Sequence, residues 1–314
     1  MRRHLLRRAV ALVATLFVVS VLVFLVIRVL PGDPAQLIMG TEGSPEAVAR
    51  LRDALGLNRS LAVQYVEWLG RALRGDLGVS IQYDVPVGRL IVSRLPVTLP
   101  LTAMAAAFMM VVAIPLGLYA AARHRRAGDY LTMVLSQLGI AVPAFWSGLL
   151  LILLFSVHLG WLQSGGFAGW QAGLGAGLRS LLLPAVALGL FQAAVLVRAT
   201  RSAVLDVLRE EYVRTARAKG VAEVTVLGKH ALRNALIPVV TVAGTQLGHL
   251  LAGSIVLESV FALPGLGRLA LGAIAARDLP LVQGVTLFVA SAIVLLNFLV
   301  DLAYVALDPR IRNE

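Results

Sequence analysis

REEYVRTARAKGVAEVTVLGKHALRNALIP, residues 209–238, is the one long polar segment in a C-terminal half that is otherwise almost continuously apolar. Its spacing predicts two short helices hinged at Gly220. The first carries Tyr212 and Ala216 at i,i+4, with Glu210, Arg214 and Arg217 turned elsewhere; the second carries Val224, Leu227 and Ala231 at i, i+3 and i+7. Gly220 suits the position just past a helix end, where the chain turns left-handed. A segment rich in both charge signs, set between two apolar spans, is built to be touched by something in the cytoplasm.

Outward from this loop, the composition is that of a polytopic membrane protein. The chain is 59% apolar and 14% charged, with a mean hydropathy of +0.85, whereas soluble chains carry about a quarter charged residues. The formal net charge of +11 would suggest nucleic acid in a soluble chain. Here the basic residues sit at the ends of apolar spans, where orientation explains them and a polyanion is not needed. There is no cysteine, so disulfides, thiolate metal sites and cysteine nucleophiles are excluded.

Arg2, Arg3, His4, Arg7 and Arg8 precede an apolar run from Ala9 to Ile27, enough to cross a hydrocarbon core of about 30 Å as an uncleaved first span. From Pro31 to Pro96 charges of both signs appear and Gly and Pro punctuate the chain. Ser44-Pro45 opens a helix with Val48, Leu51 and Leu55 in register up to Gly56. Ser60 opens another, with Ala62, Val66, Leu69 and Leu73 on one face, stopped by Gly75-Asp76. This small helical extramembrane domain is either a cap on the span ends or a docking surface.

Apolar runs recur at 98–122, 130–157, 181–197, 236–261 and 282–307, which makes six spans with the first. Arginine and lysine are concentrated in the loops between spans two and three (Arg123, Arg125, Arg126) and between four and five. Arg310 and Arg312 follow span six, and the loops of the other side are poor in basic residues. The bias puts both termini and the 209–238 loop in the cytoplasm. The fold expected is an all-α integral membrane protein in four parts. They are a tail and first span (1–30), an extracytoplasmic helical domain (31–96), a five-span core (97–308) whose cytoplasmic loop covers 199–235, and a tail (309–314).

Catalytic motifs are missing. A phosphate-binding P-loop needs Gly, four residues, then Gly-Lys-Ser/Thr; Gly228-Lys229-His230 lacks the hydroxyl and has Glu223 in place of the first Gly. No two histidines sit at i,i+4 with a carboxylate between them, and no Gly-x-Ser-x-Gly elbow occurs. No catalytic residue and no metal ligand set is assigned, and the chain is expected not to be an enzyme.

Polar groups within spans are costly in lipid, so Gln192, Gln246, His249, Asn297 and Asp301 are expected to face other helices or a cavity. Gln246 and His249, three apart on span five, either line a passage or make interhelical hydrogen bonds. Asp301 is expected to pair with a loop arginine, and Glu258 is placed to partner Arg268.

The segment Thr215-Ala-Arg-Ala-Lys-Gly220 followed by His230-Ala-Leu-Arg-Asn-Ala-Leu-Ile-Pro238 resembles the loop by which permease subunits of binding-protein-dependent ABC importers dock on their ATPases. Ala216 and Gly220 fall on the third and last positions of that loop's Glu-Ala-Ala-three-Gly pattern. Arg214 and Thr215 stand where the Glu and first Ala belong. This variant is similar to the dipeptide/oligopeptide/nickel permeases of the B-subunit type. Arg28-Val-Leu-Pro-Gly-Asp-Pro-Ala, the run Glu258–Arg268, Arg277-Asp-Leu-Pro-Leu-Val-Gln-Gly and the closing Leu307-Asp-Pro-Arg-Ile-Arg resemble that family at the corresponding places.

The resemblance implies a multi-pass permease of a prokaryotic cytoplasmic membrane, importing short peptides. Its implied partners are a second, similar permease subunit, two cytoplasmic ATPases that bind ATP and Mg, and an extracytoplasmic solute-binding protein. Glu211, Tyr212, Ala216, Arg217, Lys219 and Gly220 would then form the docking loop, and Gln192, Gln246 and His249 could line the pathway. The alternatives are import of nickel or another small solute and, from a different class, an autonomous channel or ion-coupled carrier.

Overall fold

The computed structural model describes residues 2–29, 36, 39, 44–54 and 56–307. Most of the Arg28–Ala35 stretch, Leu55 and the tail from Asp308 lie outside them. Eleven helices are described: α1 (Arg2–Val29), α2 (Pro45–Ala54), α3 (Leu61–Leu73), α4 (Val87–Ala122), α5 (Ala127–Ala141), α6 (Ala144–His158), α7 (Leu174–Leu208), α8 (Glu211–Ala218), α9 (Glu223–Val260), α10 (Leu266–Ala275) and α11 (Leu279–Leu307). A single 3-10 turn, Trp170–Ala172, precedes α7.

Five of these helices, α1, α4, α7, α9 and α11, are long and apolar enough to cross a membrane, and the pair α5 and α6 makes up to six. That third apolar run is not the straight span its composition suggests, because α5 and α6 meet at 103°. Val142 is extended at φ −87°, ψ 121° immediately before Pro143, as the proline ring requires of the residue it follows.

Two other boundaries also depart from the apolar runs. α4 starts at Val87, well before Thr98, with Pro96, Pro100 and Pro115 inside it. The second half of the 209–238 loop is not a separate short helix, since Glu223–Thr225 runs through a π segment, Val226–Leu232, into the span that follows.

The core is built on α4 against α7, the most extensive helix pair. Glycine allows this approach: a Cβ on Gly189 would lie 2.7 Å from Phe108 and 2.9 Å from the Ala105 carbonyl. Leu101 and Ala105 of α4, Leu181 and Leu188 of α7, and Leu250 and Leu257 of α9 form the middle of the bundle. Towards the loop end, Met109 and Ala113 pack with Leu196, Val204, Ala231 and Ala235. At the opposite end, Val87 and Ile91 meet Leu266, Leu269 and Leu281.

α1 lies against α11. Arg8 and Asp301 form an ion pair there, so the partner of Asp301 is the basic flank of the first span and not a loop arginine. α3 meets α1 through aromatics: Tyr65 packs edge-on against Phe24 at 5.5 Å between ring centroids, and its hydroxyl lies 2.7 Å from Ser20 Oγ. The expected aliphatic stripe of α3 is therefore not its packing face, and Val66 and Leu73 are exposed. Helical spacing identifies a face, but aromatic area outweighs aliphatic area in choosing which face is buried.

Candidate functional site

The loop between α7 and α9 is held to the bundle by few contacts. α8 buries Val213 and Ala216, and the π segment buries Val226 and Ala231. Ala216 is only 8% exposed, so its small side chain serves the approach of α8 to its own chain. Val224, expected on the apolar face of the second helix, is 83% exposed.

α8 ends as its sequence predicts. Gly220 has φ +75°, its N–H donates to the Arg217 carbonyl at 3.0 Å, and Val221 N–H donates to the Ala216 carbonyl at 3.2 Å. This is the paired 5→2 and 6→1 arrangement of a Schellman cap. Nothing lies within 4 Å of where a Gly220 Cβ would be, so the backbone angle alone calls for glycine.

Polar links join the two halves of the loop. The Tyr212 hydroxyl donates to the His230 carbonyl at 3.3 Å and accepts from Asn234 Nδ2 at 2.5 Å. Arg217 forks onto Glu223 at 2.7 and 3.1 Å, and the carboxylate raises the Arg217 guanidinium above its ordinary value. Glu211 pairs with Arg214 at 2.8 Å. Lys219 and Gly220 are exposed. Thus Glu211, Tyr212, Arg217, Lys219 and Gly220 form an outward polar surface, and Ala216 stands behind it.

Behind the loop lies a junction that the reading of the sequence missed. Asp129, in the first turn of α5, is buried and accepts from Arg201 Nε at 2.5 Å and Nη2 at 2.7 Å, and from the Arg125 N–H at 3.0 Å. His124 Nδ1 lies 3.2 Å from both Asp129 Oδ2 and Arg201 Nη2; one contact needs a proton on that nitrogen and the other needs it bare, so only one is a hydrogen bond at a time. The cluster ties the short loop after α4 to the lower part of α7.

The opposite end is organised by two buried carboxylates. Glu258 is fully buried near the end of α9. Its Oε2 accepts from the N–H groups of Gly267 at 2.6 Å and Arg268 at 3.3 Å, and its Oε1 accepts from the Thr98 hydroxyl at 2.6 Å. Thr98 Oγ1 in turn accepts from the Leu266 N–H at 2.9 Å. Three of the four orphan donors at the start of α10 are thereby satisfied by side chains of two other helices. Gly265 permits this, since a Cβ there would lie 2.3 Å from the Glu258 carboxylate.

Glu258 therefore partners the Arg268 backbone, and the Arg268 guanidinium donates to the Ala262 carbonyl at 2.8 Å. Asp278 caps α11 in the usual way, accepting from Leu281 N–H at 3.1 Å. Its other oxygen accepts from Ser80 Oγ at 2.5 Å and Gln82 N–H at 3.0 Å. The Asp-Leu-Pro at the head of α11 carried that signal; Thr98 and Ser80 had none.

Of the candidate pathway residues, Gln192 is buried in α7 with its Oε1 unpartnered. Gln246 is buried in α9, whereas His249 is exposed; the two do not share an environment.

An all-helical bundle with five helices long and apolar enough to cross a membrane, a sixth span if the bent pair α5 and α6 is one, and a polar loop seated on its core has the make-up of a multi-pass membrane protein. Comparison with known proteins identifies it further. Residues 113–313 match the family described as binding-protein-dependent transport system inner membrane component, and residues 1–102 match that family's N-terminal domain. The chain belongs to this family, as the permease of a bacterial binding-protein-dependent ABC importer in the inner membrane.

It is 46% identical over 310 residues to a protein named as a peptide transport system permease in Brucella abortus (strain 2308), covering 99% of both chains. It is 44% identical over 314 residues to the glutathione transport system permease protein GsiC of Escherichia coli (strain K12), covering 100% of both. Among solved structures, an inward-facing form of the MetNI methionine ABC transporter superposes with a TM-score of 0.56 at 23% identity, covering 70% of this chain and 96% of that one, a likeness of fold.

Proposed function

We propose that the chain forms half of the translocation pathway of an importer for short peptides, and that the 209–238 loop docks on an ATPase. The likeness to peptide and glutathione permeases over the whole length supports the substrate class. Glutathione is itself a small peptide carrying free carboxylates, so both names fall in one chemical class. The basic loops after α4 and α7 support a cytoplasmic position for this loop and both termini.

The observation that carries the docking role is the construction of the loop. Its outward polar surface stands on Val213, Ala216 and Val226, and Ala231 belongs to the same apolar cluster as α4, α7 and α9. A push on α8 is thus delivered to the bundle core. A second permease subunit, two ATPases that bind ATP and Mg, and a solute-binding protein complete the machine. Nucleotide must favour one arrangement of the bundle over the other by several kcal/mol to move most of the population.

His249 is exposed on α9, a helix long enough to span. An imidazole facing lipid is costly, so it faces the second subunit or the passage. Gln192 and Gln246 lie inside this chain and take part by packing.

Purification of the tagged chain from its native membrane in mild detergent tests the proposal. Recovery of P-loop ATPases and a sister permease, with hydrolysis stimulated by peptide in liposomes, is the expected result. Recovery of the chain alone would overturn it.

A further inference from the structure

Beside the cap of α10 is a cleft of about 440 Å³, lined by Tyr83, Arg94 and Arg268 over a floor that includes Gly265, Leu269 and Gly272. Its charge is one-sided. Among the described residues neither guanidinium has a carboxylate partner, and the Arg94 Nε is buried without a hydrogen-bond partner.

Arg94 lies one turn before Thr98 on α4, on the same side of the helix as the cap. The nearby carboxylate, Glu258, is already engaged by Thr98, Gly267 and Arg268 N–H groups. A buried guanidinium N–H without an acceptor is costly, and two guanidiniums lining one cleft repel. The pair of guanidiniums is complementary to one negative group that none of the described residues supplies.

The geometry points to this cleft as a subsite for the carboxylate of the imported solute at the outer mouth of the pathway, with Arg94 and Arg268 as its ligands and Tyr83 as a further donor. A planar carboxylate matches the fork of a guanidinium. The volume falls in the range of roughly 300–1,000 Å³ usual for small organic ligands. The mostly apolar floor gives side chains of varied peptides a surface without specific demands, so the site would read the one feature they share. The inference rests on the peptide-import reading above and deepens it.

The test is import by cells whose own copy of the gene is replaced by the parent, Arg94→Gln or Arg268→Gln. Two labelled probes are compared at equal concentration: trialanine and its C-terminal amide. The acid-to-amide ratio of initial rates is expected to fall by about three- to tenfold in each variant, the loss of one charge-assisted contact at a solvated site. Amide import near the parental rate shows that the variants fold and assemble.

An equal fall for both probes would overturn the inference and assign the arginines to docking, lipid contact or structure. So would a parental ratio in both variants. No import of either probe by the parent would instead remove the peptide reading itself, and this inference with it.

Discussion

The cap of α10 and the loop after α7 are joined to the bundle by different means. At the end bearing α10, Glu258 and Asp278 are buried and their oxygens are taken by backbone N–H groups and hydroxyls of distant segments. At the other end Asp129 is likewise buried against Arg201, but the loop after α7 is itself linked by exposed ion pairs, Glu211 with Arg214 and Arg217 with Glu223, over a small apolar underside. A buried carboxylate with every partner in place fixes one arrangement, because losing any partner strands a polar group. Exposed pairs are exchanged with water at little cost. The difference suits a cap that holds its shape and a loop surface that yields while its footing stays in the core.

Removing Glu258 should test the contrast most severely. Glu258→Ala leaves the Gly267 and Arg268 N–H groups and the Thr98 hydroxyl without an acceptor. The expected destabilisation is on the order of 3 kcal/mol, read by denaturation of the purified chain in detergent. Protease sensitivity should rise around Ala262–Gly265. Parental stability would mean that the cap is dispensable.

Asp278→Ala removes the cap of α11 and the link to Ser80 and Gln82. A smaller loss of about 2 kcal/mol is expected, again in detergent denaturation. An effect larger than that of Glu258→Ala would reverse the ranking drawn here.

The smallest effect belongs to the loop. Both partners of the Arg217–Glu223 pair are more than a third exposed, so Glu223→Gln should cost less than about 1 kcal/mol. That cost should shrink further in high salt. A loss comparable to that of Asp278→Ala would show that the loop is as rigidly built as the far end.

Much of this architecture was legible in the residues. The five long spans follow from apolar runs of sufficient length, and the Gly220 turn follows from a glycine after a helical stretch ending in Lys219. The dispersed motifs shared with the permease family spoke for the class before any geometry did.

What was not legible depended on contacts between distant segments. The 103° break at Pro143 had a local signal in Val142-Pro143, but the surrounding residues are apolar enough to conceal it. Thr98, 160 positions from Glu258, is an ordinary threonine until α9 returns beside it. Asp129 follows the loop arginines with no motif to mark it, and only the fold brings it to Arg201, 72 residues on. The inward turn of Ala216 and outward turn of Val224 are likewise set by which side of the loop meets the bundle.

The measurement that bears most directly on the coupling role of the loop is made on Gly220→Pro in the complete importer in liposomes, with ATP hydrolysis and solute uptake followed together. Proline cannot adopt the φ of +75° found at this position, so the Schellman turn is lost while the spans stay inserted. The account predicts continued hydrolysis with uptake per ATP largely abolished. Uptake per ATP equal to that of the parent would contradict it and leave residues 209–238 as a connector.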